Sequence, residues 1–334
     1  MLNTLTTIRT QAPGLANDKI DSNLLLRVLG YSMENSVLYR LGFKQDVKRN
    51  AGTNKIQWRR YKPLPVATDR HVITEGVNPN GMKIGAMTVD GTVGVYGAYI
   101  EFTRQSELYN LDSIKEEYTP ILADHAAETL ELITRDAIEE DAGVRFIGGE
   151  NADAVTAKDI LTVDECRKAA NAMKVSRRKG HESKSGKKYL VVTSTEGMQD
   201  LLDDDAVLQR YMIPGNTNSP VTANGLETVD IYNLSFIEYM YPVIENNASG
   251  VAVHHTYVIG ERAYAVMKLA SAGIEMKSFD FGAKRGDNLG QIASIGWITM
   301  GYGAAVLDPL AVTTIYHAVS NPLTRDEEIY ASQD

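Results

Sequence analysis

The chain has 334 residues, 43% of them hydrophobic and 23% charged, an ordinary globular balance with room for about two domains. With 43 acidic and 34 basic residues the net charge is −9, which argues against a general nucleic-acid binder because gripping phosphate needs a basic footprint. A single cysteine, Cys166, excludes an intrachain disulfide, so stability must come from packing or assembly.

The first residues, Met1 to Arg9, lack a charged head followed by an apolar run and do not read as a secretory signal. Residues 1–54 read as an arm. Its first part is polar, with Pro13 and Gly14. A helical pattern follows on Leu24, Leu25, Val28, Leu29, Val37, Leu38 and Leu41, interrupted at Gly30 and ended at Gly42. So much leucine needs a surface to lie on.

Residues 55–103 read as a long hairpin. One limb is Lys55 to Lys62, closed by Pro63 and Pro65; the other runs from about Gly85 to Thr103. Gly76, Pro79 and Gly81 punctuate a tip read as polar. Met87, Val89, Val93 and Val95 alternate with polar or small residues, which gives one apolar face. Tyr96, Ala98, Ile100 and Phe102 take the other parity, so the base is expected to be buried on both faces. A lone hairpin is marginal in water, so an apolar face on a projecting arm implies that another surface covers it.

Ser113 to Glu116 forms a capping-box pattern, and Thr119-Pro120 is a second start signal. The expectation is a short turn, a break or kink, and then a helix from Pro120 to about Asp141, stopped at Gly143. Its core face is expected from Ile121, Leu122, Ala126, Leu130, Ile133 and Ala137, with Asp124, Glu128, Glu131, Arg135 and Glu139 largely outside. A further capping box, Thr162 to Glu165, opens a helix through Cys166 and Met173. The run Lys174 to Lys188 has seven basic residues and only Glu182 opposing them. A strand at Tyr189–Val192 and a capped helix at Ser194 follow, then strands at Glu227–Tyr232, Val251–Ile259 and Ala263–Leu269. The charge-free stretch Leu289 to Leu307 carries four glycines and polar residues, so it reads as buried β-structure rather than a membrane span. Strands at Gln291–Thr299 and Leu310–Ala318 are expected to return to the first region.

Signals for chemistry are thin, and no catalytic, cofactor-binding or metal residue is assigned. His254 and His255 are neighbours in a strand and point to opposite faces, so they cannot share one metal. His125 and Glu128 have a bundle-metal spacing, but no second copy of that motif exists. Asp203, Asp204 and Asp205 lack the spaced ligands and glycine of a calcium loop. Lys184 to Lys188 precedes its strand, whereas a phosphate loop follows one.

Three blocks of sequence, Trp58 to Thr68, Thr74 to Pro79 and Tyr96 to Thr103, resemble the major capsid proteins of tailed bacteriophages, in a podophage-type family. The resemblance continues through Ala126 to Leu130, Thr134 to Asp136, Val253 to Gly260, Gly286 to Gln291 and Ile295 to Trp297. It implies an α+β tailed-phage capsid fold with an N-terminal arm over 1–54 and an extension loop over 55–103. A peripheral domain with a spine helix would take 104–159 and 286–334, and an axial domain 160–285. It further implies a structural, non-enzymatic role: an icosahedral shell of hexamers and pentamers around double-stranded DNA, located in the virion and assembled in the host cytoplasm. Portal and scaffold or decoration proteins would be partners, with no cofactor, no membrane and no sequence-specific DNA binding. A bacterial nanocompartment shell of the same fold is the alternative. Assembly-interface candidates are Trp58, Arg59, Arg60, Tyr61 and Glu75 on the loop, and Arg177 and Arg178 facing Asp203 and Asp204 of a neighbour. For the charged run, a solvated loop is the competing reading.

Overall fold

A computed structural model describes residues 36–47, 53–62, 64, 72–73, 75–77, 81–109, 114–183, 186–204, 221–223, 226–269, 273–282 and 289–322. The arm helix expected before Ser36, the cap at Ser113, Lys184 and Asp205 lie outside them. In chain order the elements are α1 (Val37–Leu41), β1 (Phe43–Val47), β2 (Lys55–Tyr61), β3 (Ala86–Thr92), β4 (Gly94–Thr103), α2 (Arg104–Tyr109) and α3 (Ile114–Asp141). Then come β5 (Gly143–Phe146), α4 (Val163–Val175), β6 (His181–Ser183), β7 (Gly186–Ser194), α5 (Thr195–Leu202), β8 (Val221–Ala223) and β9 (Leu226–Ile231). The last are β10 (Leu234–Tyr239), β11 (Ile244–Asn246), β12 (Ala252–Ile259), β13 (Tyr264–Leu269), β14 (Ile274–Phe279), β15 (Ile292–Val306) and β16 (Val312–His317).

Two sheets organise the chain. The first has the order β1-β13-β15-β14, and β4 also pairs with β15. Its centre is β15, the charge-free stretch, whose residues Ala293 to Trp297 are buried; a register shift lies between Thr299 and Tyr302. The second has the order β5-β16-β12-β7-β10-β9-β8, with β11 beside β12 and β6 beside β7. Strand β7 shows why its residues are apolar in succession. Leu190 and Val192 face one core cluster with Leu130 and Ile138 of α3, while Tyr189 and Val191 face another with Cys166, Ala170 and Met173 of α4. A strand buried on both faces loses the polar half of its alternation.

Helix α3 serves both sheets. Leu122, Ala123 and Ala126 pack on Phe102, Ala293, Ile295 and Trp297, and further along Leu130 and Ile138 pack on Tyr257, Ile259, Tyr264 and Tyr302. Its 28 residues make a rod of about 42 Å at about 1.5 Å per residue. Of the expected break or kink at Pro120, the break does not occur: Pro120 lies inside one continuous helix. Thr119 is not a cap either, since its hydroxyl donates to the Lys115 carbonyl at 2.6 Å within the same helix.

The helix face also needs correction. Leu122 and Leu130 are buried and Ile133 is half-buried against the core, but Ile121 is 58% exposed. Nine residues at about 100° each put Ile121 on the opposite side from Leu130. Ile138, not Ala137, fills the core, and Glu131, expected outside, is 1% exposed.

Among the described residues no helix is long and apolar enough to cross a membrane.

Candidate assembly surface

The loop stands on a short two-stranded sheet, β2 against β3, with Lys55 opposite Thr92 and Tyr61 opposite Ala86. Every second residue of β2 faces the body. Trp58 packs with Val47, Val93 and Met267, and its indole N–H donates to Gln45 Oε1 at 2.7 Å. Gly91, on the partner strand, leaves room for this contact: a Cβ there would lie 2.6 Å from the Trp58 ring and 2.5 Å from Met267 Sδ. Arg60 reaches Asp308 Oδ1 at 2.6 Å, and Arg178 pairs with the other oxygen of the same carboxylate. Thus Trp58 and Arg60 act inside the chain, as anchors of the loop base, while Arg59, Tyr61 and Glu75 face outward.

Beyond the base the loop is apolar as well as polar. Val72, Ile73, Val77 and Ile84 are 61–76% exposed, so the described part of the loop is not the purely polar turn expected from its glycines and prolines. The second limb differs too. Strand β4 buries Tyr96, Ala98, Ile100 and Phe102 to varying degrees but exposes Val95 and Tyr99, so one face is covered and not two.

That open face of β4, β14 and β15 forms a groove of about 750 Å³. Val95 (62% exposed), Tyr99 (69%) and Phe279 (51%) line it, together with Ile298, Glu101 and Lys277. Gly296 lies opposite Tyr99 in the ladder, and a Cβ on it would fall 2.5 Å from the Tyr99 Cβ. The glycine therefore allows the close approach of the two strands at Tyr99.

The charged candidates divide in the same way. Arg177 is exposed and adopts a left-handed backbone, φ 60°, at the end of α4. The Arg177 N–H donates to Lys174 O and the Arg178 N–H to Met173 O, both at 2.9 Å, the paired bonds of a helix stop usually built on glycine. Arg178 is committed to Asp308. Asp204 accepts the Val163 N–H at 3.0 Å, at the start of α4, while Asp203 ends α5 and is exposed. Only Arg177 and Asp203 of the four present their charged ends outward.

Buried polar residues are used structurally. His254 and His255 do face opposite ways: His254 Nδ1 lies 3.1 Å from Ser194 Oγ, and His255 Nδ1 lies 2.8 Å from Glu139 Oε1 on α3. Ser194 Oγ also caps α5 by accepting the Gly197 N–H at 3.0 Å. His317 Nδ1 donates to the Ala318 carbonyl at 2.9 Å, so its Nε2 accepts from Thr256, and burial pushes the imidazole down to about 3. Burial pushes the Cys166 thiol well up, which makes it inert as a nucleophile. Among the described residues no group of three or more His, Cys, Asp or Glu side chains is placed to hold a metal.

No protein-family profile and no curated protein sequence matches the chain. Solved structures do. The capsid of Ralstonia phage GP4 is similar over 87% of this chain and 93% of its own, at TM-score 0.65 and 12% identity. The capsid of cyanophage P-SCSP1u is similar over 85% and 89%, at TM-score 0.60 and 13% identity. The holo-SrpI encapsulin complex from Synechococcus elongatus PCC 7942 is similar over 97% and 98%, at TM-score 0.52 and 12% identity. The chain has the α+β fold of the tailed-phage capsid proteins.

Proposed function

We propose that this chain is the coat protein of a tailed phage, whose copies close into an icosahedral shell around double-stranded DNA. The observation that carries this reading is a pair of apolar surfaces on one molecule that its own core leaves open. One is the loop, with Ile73, Val77 and Ile84; the other is the groove at Val95, Tyr99 and Phe279. Exposed apolar surface of this kind is a candidate contact site, and in this reading the partner is a second copy. The loop of one copy lies across the groove of the next, a head-to-tail contact that closes into rings.

In this reading the domain division stands as proposed, with the arm at 1–54, the loop at 55–103, the peripheral region at 104–159 and 286–334, and the axial region at 160–285. Hexamers and pentamers form the shell, portal and scaffold or decoration proteins join it, and assembly takes place in the host cytoplasm. The net charge of −9 suits a wall that encloses a polyanion without trapping it. The role is structural and not enzymatic.

A nanocompartment shell is the second reading, favoured by the encapsulin's coverage of nearly the whole chain. Particle contents separate the two: nuclease-protected double-stranded DNA supports the phage coat, and a packaged enzyme supports the nanocompartment. Light scattering and electron micrographs of the purified chain test what the two readings share. Capsomers or closed shells are expected; a compact monomer at every protein and salt concentration overturns both.

A further inference from the structure

Helix α1 has only five residues, and its N-cap, Ser36, makes no side-chain capping bond. The cap comes instead from α3, more than ninety positions along the chain. Glu131 Oε1 accepts the Leu38 N–H at 2.6 Å, and Oε2 accepts the Tyr39 N–H at 3.1 Å. The site is sealed, with Glu131 1% and Leu38 0% exposed. At the other side of α1 the Tyr264 hydroxyl donates to the Leu38 carbonyl at 2.7 Å.

We propose that Glu131 is a proton-sensitive latch between α3 and α1: a proton on its buried carboxyl tightens the docking of α1 onto α3. The inference rests on the fold alone and not on the shell reading.

The groups around the carboxyl explain the direction. Burial pushes it up from 4.5 to about 7, and the peptide N–H groups of Leu38, Tyr39 and Val37 oppose the rise. Three phenols face it from three strands: Tyr239 on β10, Tyr264 on β13 and Tyr302 on β15. Burial first, with the Glu131 charge adding to it, pushes all three up, so they stay neutral. Tyr39 of α1 stacks on Tyr302, with ring centroids 6.4 Å apart, and Arg40 follows it in the same helix. On α3 itself, Arg135 is paired with Asp136 at 2.7 Å. The carboxylate charge is therefore met chiefly by peptide dipoles, and adding a proton relieves the cost of burying it.

When α1 undocks, Glu131 meets water and its pKa falls back toward the ordinary value of 4.5. Between 4.5 and about 7 the docked state binds more protons than the undocked one. Docking then weakens by up to about tenfold per pH unit as pH rises through that window, and is level above it.

Hydrogen exchange on the full chain, read over residues 37–41 and corrected for the intrinsic pH dependence of exchange, tests this whether or not shells form. Wild-type protection is expected to fall at least tenfold from about pH 5 to about pH 7.5. Glu131→Gln should show a flat profile. Tyr264→Phe, which loses a bond to α1 but keeps the carboxyl, should lower protection with the slope unchanged. A flat wild-type profile, or an equal slope in Glu131→Gln, overturns the proposal. If Glu131→Gln does not fold, the wild-type curve decides: levelling off above about pH 6 supports the latch, and levelling off below it overturns it.

Discussion

Asp308 is the residue where three distant parts of the chain meet. It takes Arg60 from the loop base and Arg178 from the end of α4, and it caps the short turn Pro309–Ala311 through the Leu310 N–H at 3.3 Å. Asp308→Ala leaves two partly buried guanidinium groups facing each other and should cost about 2 kcal/mol in denaturant unfolding. An unchanged midpoint would mean that the ion pairs add nothing to the loop's attachment. Arg177 offers the opposite sign. Its left-handed backbone suits glycine, so Arg177→Gly should stabilise by about 1 kcal/mol and raise the melting temperature. Two buried groups pull against each other as pH changes. His317, pushed down from 6.5 to about 3, gives stability that is present above 6.5 and lost as pH falls. Glu131, pushed up from 4.5 to about 7, gives stability that is present in acid and lost as pH rises. His317→Gln removes the first, so its stability should climb as pH drops from 6.5 to 4.5, where the wild type changes less. Denaturant midpoints across that range decide it. Neither Asp308 nor Glu131 was legible as a hub in the sequence. Their partners lie far away in sequence, and no local spacing marks a cap supplied by another element.

Elements were read more successfully where the signal is local. Thr162 caps α4 by accepting the Glu165 N–H at 3.4 Å, although Glu165 turns to Arg145 and Lys168 instead of closing the box. Ser194 caps α5, and the strands β7, β12 and β13 lie within a few residues of their expected positions. Helix α3 shows the limit of pattern reading. Its buried stripe includes Thr119, Glu131 and Thr134, polar residues satisfied by partners that the sequence does not reveal, so the apolar residues alone point to a face that is rotated. The contrast is testable. Leu130→Asp buries an unpaired carboxylate, costing several kcal/mol of a typical total of about 5–15, and should abolish folding. Ile121→Asp changes an exposed position and should fold with an ordinary cooperative melt. If Ile121→Asp fails to fold, or Leu130→Asp melts cooperatively, the helix face described above is wrong.

At the scale of the whole molecule, the order of hairpin, long helix and late strands was legible in the sequence because their boundaries carry a cap, a glycine or a change of period. The assembly surface was legible only in part. The hairpin announced an apolar face, but the groove at Val95, Tyr99 and Phe279 joins strands β4, β14 and β15 from separate parts of the chain. The central claim is that loop and groove hold copies together and that the loop is dispensable for folding. Lys62 N–H donates to Gly85 O at 2.8 Å, which closes the hairpin before its outer part begins. A chain lacking Leu64 to Met82 should therefore keep the circular dichroism and melting of the wild type, since exposed loop tips tolerate change. The direct test compares the two chains by electron microscopy under identical assembly conditions. The account predicts closed shells from the wild type and a collapse of shell yield from the shortened, folded chain; shells in equal yield from both would contradict it.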